Sequence, residues 1–237
     1  MKEYMFEMSV KLKLTAPLLG TNSNNPNIAS EFQLAKKPEL LDVSEQLSDL
    51  ADTLADVSPD IPMTVFLKAV DENGEVREYL SSHMILGFFK EACGALARNK
   101  DTKSSKLKAY KKVIDTNIFI KERKLFLQGD YSVGTNERPL RTSGPKGERV
   151  ALANSEQIVW EDGEEVWLEC TIQCLQPKLM GTVAEWLDYG QYHGLGQWRN
   201  ARYGTFEWEL LDGAYTDVTL NSSNQNRLAA MLKEHDK

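Results

Sequence analysis

The first regular pattern along the chain is a two-residue alternation. Between residues 5 and 15, Met8, Val10, Leu12 and Leu14 take one side, while Glu7, Lys11 and Lys13 lean to the other, as a half-buried strand requires. The stretch LLGTNSNNPNIAS that follows is dense in Gly, Asn, Ser and Pro and reads as a long surface loop. From Glu39 to Val57 the period changes. Leu40, Val43, Leu47, Leu50, Leu54 and Val57 recur at steps of three and four, with an acidic face between them, so the spacing predicts an acidic helix over 39–57 ended by Pro59 and Pro62. Residues 63–80 read as a hairpin turning at DENG. A helix over 83–98 follows, with Ser81 or Ser82 as its cap and Ile85, Phe88, Phe89, Ala92 and Leu96 on its buried face.

The Lys-rich residues 100–112 read as a linker or exposed turn, and VIDTNIFI (113–120) and RKLFLQ as strands. Residues 129–156, with several Gly, Pro, Ser and Asn, read as a long irregular loop, a length that tends to mark function or mobility. Strict alternation returns over 164–175. A helix over 178–190 then begins just after Pro177, a glycine-rich loop runs from His193 to Gly204, and a last strand covers 204–211. The polar tail 221–237 is expected to fray.

Composition narrows the function classes. Among 237 residues, 41% are hydrophobic and 27% charged, the proportions of an ordinary globular protein. No stretch is apolar and long enough for a membrane span or signal peptide, and the three cysteines with no export signal point to reduced thiols, so a cytoplasmic location is expected and no membrane partner. Cys170 and Cys174 lie four apart on a strand, about 13 Å at about 3.3 Å per residue, too far to share one metal ion, and read as core thiols. No metal and no cofactor is expected. The net charge of −7 means that any nucleic-acid site must concentrate its basic residues locally. Residues 98–149 do so, with Arg98, Lys100, Lys103, Lys106, Lys108, Lys111, Lys112, Lys121, Arg123, Lys124, Arg138, Arg141, Lys146 and Arg149.

The segment from His193 to Gly204 carries the strongest chemical signal. Gly194, Gly196 and Gly204 allow close backbone approach, Arg199 and Arg202 can bond phosphates, and Trp198 and Tyr203 can stack on bases. In the 129–156 stretch, Arg138, Arg141, Lys146 and Arg149 are expected to add phosphate contacts from a mobile loop.

The order strand, helix, strand, strand, helix, glycine-rich loop, strand resembles the ferredoxin-like βαββαβ arrangement of the RAMP superfamily, the RNA-binding proteins of CRISPR systems. The phrases LTAPLLG, LSSHMILGFFKEA and GLGQWRNARYG carry the resemblance. It implies an α+β fold whose antiparallel core spans 1–220 as one domain, with insertions at 20–80 (a hairpin and the acidic helix) and 129–156. It also implies an RNA-binding subunit of a CRISPR-like ribonucleoprotein that contacts the RNA backbone through the glycine-rich loop, at Gly194, Gly196, Gln197, Arg199, Arg202 and Gly204. Some relatives are metal-independent endoribonucleases that process CRISPR RNA, and His83 and His193 are the candidate acid–base residues for that alternative. The acidic helix 39–57 departs from the family's plan and suggests docking to protein subunits or a second copy. A virus-encoded (phage) interaction protein of the same fold, acting on an antiviral defence complex or a viral assembly, is the further alternative.

Overall fold

A computed structural model describes residues 6–24, 64–144 and 147–212 and, within these, side chains other than those of 140–152. The acidic helix expected over 39–57 and the tail 221–237 lie outside the described residues. In chain order the strands are β1 (Phe6–Leu14), β2 (Leu18–Leu19), β3 (Asn22–Ser23), β4 (Thr64–Val65), β5 (Leu67–Val70), β6 (Val76–Ser81), β7 (Ile118–Ile120), β8 (Lys124–Phe126), β9 (Gln128–Gly129), β10 (Ser132–Gly144), β11 (Gly147–Val159), β12 (Val166–Cys174) and β13 (Phe206–Asp212). The described α-helices are α1 (His83–Leu96), α2 (Tyr110–Asn117) and α3 (Pro177–Tyr189). The protein is therefore a mixed α+β chain with several antiparallel sheets.

The chain divides into two compact units, the second formed by 19–67 and 132–159 and the first by the remainder. In the first unit the main sheet runs β13-β1-β12-β7, with β9 pairing β12. Every neighbour is antiparallel: Met8 lies opposite Ile172, Leu12 opposite Leu168 and Trp208, and Cys174 opposite Ile118. The alternation read from sequence sets the two faces of this sheet. Met8, Val10, Leu12, Val166, Leu168, Ile172, Phe206 and Leu210 are fully buried, and α1 and α3 cover that side. Phe88 of α1 meets Phe206 edge-on at 5.2 Å, and Phe89 meets Trp186 of α3 at 5.4 Å. Cys170 and Cys174 are free thiols within this core, and burial pushes both above their ordinary ionisation range. The opposite face carries Lys11, Lys13, Glu169, Glu207 and Glu209, and Lys11 lies over the Trp167 ring at 4.1 Å. A smaller sheet, β5-β6-β8, completes the unit, and its turn is held by Asp71, whose carboxylate accepts from the backbone N–H of Asn73 and Glu75.

The second unit contains the sheet β10-β11-β4-β3. Here the irregular loop expected over 129–156 is corrected to a ladder of two 13-residue strands, from Ser132 opposite Val159 to Gly144 opposite Gly147. Pro139 and Gly134 made the segment look irregular, but β10 is the edge strand, where a missing N–H leaves no ladder bond broken. The surface loop expected from Leu18 is also corrected. Leu18 and Leu19 are fully buried, and Gly20 donates to the Glu156 carbonyl at 2.9 Å.

A third difference falls on 100–120. The β-branched run 113–120 was expected to be a strand, but α2 takes it to Asn117 and only Ile118–Ile120 pair. Tyr110, Val113, Ile114 and Ile118 are spaced for a helix face, and the Thr116 hydroxyl and Asn117 amide bond back to carbonyls one turn earlier. The preceding lysines are not a loose linker. Residues 104–106 form a 3-10 turn clamped to α3: the Glu185 carboxylate accepts from the N–H of Lys103 and Ser104 at 3.0 Å each and from the Ser104 hydroxyl at 2.7 Å, and the Trp186 indole donates to that hydroxyl at 2.9 Å. Replacing Glu185 with Ala leaves a fully buried serine and two backbone donors without their acceptor. The expected cost is about 2–3 kcal/mol in a urea titration, with faster tryptic cleavage among Lys100–Lys112; unchanged stability and cleavage would rule the clamp out.

Candidate nucleic-acid interface

The glycine-rich loop follows α3 directly, and two of its glycines, Gly194 and Gly204, bring its ends together. A Cβ on residue 194 would lie 2.1 Å from the Gly204 carbonyl carbon, and one on residue 204, where φ is +65°, would lie 2.2 Å from the Leu195 oxygen. The close approach that glycine permits is therefore between the two ends of the loop. Leu195 N–H donates to the Gly204 carbonyl at 2.9 Å, Gly204 N–H to the Pro17 carbonyl at 2.8 Å, and Leu195 is buried beneath. This clasp fastens the loop beside the end of β1 and leaves 196–203 projecting.

The projecting residues form a short 3-10 turn, Arg199–Ala201, flanked by Trp198 and Arg202, both with left-handed backbone. Trp198 is 42% exposed and lies parallel to Tyr203, ring centres 5.3 Å apart with 14° between planes. The indole is thus a surface platform and not a core residue. Arg199 pairs with Glu91 of α1. His193 Nε2 lies 3.1 Å from the same carboxylate, and its ring rests against Tyr189. Arg202 is exposed and donates to the Gln191 carbonyl at 3.3 Å.

Trp198, Arg199, His193, Tyr189 and Glu91 line an open cleft of about 580 Å³. One wall is α1 and the turn after it, through Glu91, Gly94, Ala95 and Arg98; a second is Tyr110 at the start of α2; the third is Tyr189, His193, Trp198, Arg199 and Asn200. Gly94 leaves room for the Tyr110 hydroxyl, which would otherwise lie 2.8 Å from its Cβ. Of the residues expected from sequence, His193, Trp198 and Arg199 line this cleft, whereas Gly194, Gly196, Gln197, Arg202 and Gly204 belong to the same loop without lining it. His83 is exposed as the first residue of α1. Ser82 precedes it at the cap position, but its hydroxyl makes no capping bond. Arg138 is 7% exposed on β10, in the second unit, and so is not on an open loop. Arg141 and Arg149 belong to β10 and β11, with side chains outside the described residues, as is Lys146.

Glu91, Tyr110 and Tyr189 were not anticipated, and Arg98 was read only as one of the basic residues of 98–149. Their signal was present in part: residues 91, 94, 95 and 98 are spaced i, i+3, i+4 and i+7, the face of α1 opposite its buried stripe. What sequence did not join was the basic segment 98–112, seven basic residues against one acidic, to the glycine-rich loop. Arg98 and Tyr110 put the two ends of that segment in the cleft wall, and Lys100, Lys106, Lys108, Lys111 and Lys112 are exposed along it.

Among the described residues no group of three or more His, Cys, Asp or Glu is arranged to hold a metal ion, and no helix is long and apolar enough to cross a membrane. The chain matches no protein-family model and no curated protein sequence.

The clasp predicts that Gly194→Ala, which adds one methyl group, destabilises the protein far more than a surface substitution does. The expected loss is more than about 2 kcal/mol, measured by urea denaturation, whereas Trp198→Ala at the exposed platform should shift stability by less than about 1 kcal/mol.

Proposed function

We propose that this protein is an RNA-binding subunit of a CRISPR-like ribonucleoprotein, built on a ferredoxin-like core of the RAMP kind, and that single-stranded RNA lies in the cleft between α1, the start of α2 and the glycine-rich loop. The observation that carries this reading is the meeting of Arg98 and Tyr110, both from the basic segment 98–112, with an exposed tryptophan and Arg199 in one open cleft. Lysines and arginines along a groove track a phosphate backbone, and an aromatic platform accepts a base of any sequence. The fold supports the same reading. The strand order β13-β1-β12-β7, with α1 after β1 and α3 after β12, is the order expected of a βαββαβ core. Net charge is no obstacle: among the described residues Glu91 is the one acid in the cleft lining, whereas Glu165, Glu169, Glu207 and Glu209 lie with Lys11 and Lys13 on or beside the sheet face away from the helices.

One observation favours a second reading, a metal-independent endoribonuclease. His193 is held by a carboxylate beside an arginine in an open cleft. A histidine so oriented can take a proton from a ribose 2′-hydroxyl, and Arg199 can stabilise the charge that develops on the phosphate.

Labelled single-stranded RNA should bind in fluorescence anisotropy, with affinity falling as salt rises. Trp198→Ala should weaken it about tenfold, the loss of one stacked base. Arg98→Ala should lower the slope of log affinity against log salt by about 0.7, one phosphate contact on a single strand. Salt-independent binding, or binding indifferent to both substitutions, would remove RNA from the cleft. Incubation in EDTA separates the two readings: intact RNA supports a binding subunit, and cleavage abolished by His193→Ala supports the nuclease.

A further inference from the structure

Two cationic or hydrogen-bonding groups of the cleft converge on a single oxygen. Glu91 Oε2 accepts from Arg199 Nη1 and lies 3.1 Å from His193 Nε2. The arrangement is open, with side chains 44%, 30% and 20% exposed for Glu91, Arg199 and His193. Ion pairs this accessible contribute little to folding, so stability gives no strong reason for a carboxylate here. Chemistry gives one. A phosphodiester presents an anionic oxygen to guanidinium and imidazole donors much as a carboxylate does, and Arg199 is well suited to either acceptor.

We propose that Glu91 occupies the phosphate subsite of the cleft, and that a phosphodiester of single-stranded RNA displaces its carboxylate from Arg199 and His193. This rests on the RNA-binding reading and adds a resident competitor to it. Glu91 sits one turn or more from Gly94, Ala95 and Arg98 on the same face of α1, so its release opens the wall that carries Arg98. The competitor sets a threshold. A single phosphate must overcome both the existing pair and the Glu91 charge, whereas a longer strand also engages the exposed lysines between 100 and 112 and offsets that cost. The exposed lysines therefore favour a polynucleotide over a free nucleotide, and Glu91 keeps the free nucleotide's weaker binding below that threshold.

The test compares the wild-type chain with Glu91→Gln and Glu91→Ala, using a single-stranded oligouridylate and uridine monophosphate as probes at low and moderate salt. The glutamine keeps the shape and removes the charge; the alanine also removes the acceptor. Because Glu91 is exposed, thermal melting should be nearly unchanged for both. Removing one negative charge a few ångströms from the bound phosphate should tighten oligouridylate binding about tenfold at low salt and raise the salt slope by about 0.7 as Arg199 becomes available. The proportional gain should be similar for the mononucleotide, since both probes displace the same carboxylate, and Arg199→Ala should abolish it for both. Unchanged or weaker binding by both Glu91 variants, with Arg98→Ala still harmful, would overturn the subsite while leaving RNA in the cleft. Failure of wild type and variants alike to bind oligouridylate would overturn both.

Discussion

The candidate site depends on one contact between backbones. Residues 194 and 204 approach so closely that neither can carry a Cβ, and the hydrogen bonds from Leu195 to Gly204 and from Gly204 to Pro17 turn the approach into a fixed clasp. The N–H of Thr15 bonds to the Thr205 carbonyl immediately beside it. The loop ends are thereby tied to the end of β1 and the start of β13, the two strands that lie side by side in the main sheet. An eight-residue projection anchored in this way can present Trp198 and Arg199 at a defined place, which a free glycine-rich loop could not do.

A second anchor acts on the opposite wall. Glu185 and Trp186 are consecutive residues of α3, yet they hold the 3-10 turn within the basic segment. That segment would repel itself if released, since its lysines are close in sequence and carry like charge. The carboxylate satisfies backbone donors there and also contributes one negative charge at the middle of the run. The same helix therefore ends in the loop and clamps the lysines, so both walls of the cleft are referenced to α3.

Much of this was legible in the sequence where burial is one-sided. The alternation of Met8, Val10 and Leu12, and of Val166, Leu168 and Cys170, reports a sheet with one covered face, and such strands were read within a residue or two of their ends. Legibility failed where the pattern depends on partners distant in the chain. Strand β10 carries few apolar residues and is specified by pairing with β11 along 13 positions, a property that no local window contains. Residues 113–117 failed for the reverse reason, because β-branched side chains suggested a strand while helical spacing and side-chain bonds to the preceding turn prevailed. At the candidate site, composition marked the loop, but not that Gly194 and Gly204 pack against each other's backbone, because that contact joins residues ten apart.

The distribution of backbone strain points to the same place as the charge. Among the described residues, Ala109, Trp198 and Arg202 are the non-glycine residues with positive φ. Each costs on the order of 1 kcal/mol relative to ordinary helical or extended backbone. Ala109 immediately precedes Tyr110, and Trp198 lies in the cleft wall with Arg202 four residues further on. Glycine at these positions would relieve the strain, yet at 198 it would remove the aromatic platform. Strain kept at two separate points of one cleft, beside an exposed indole and an ion pair that adds little to folding, is what is expected of a surface shaped for a ligand. On the proposed reading that ligand is a strand of RNA, its bases meeting Trp198 and its phosphates meeting the side chains now held by Glu91.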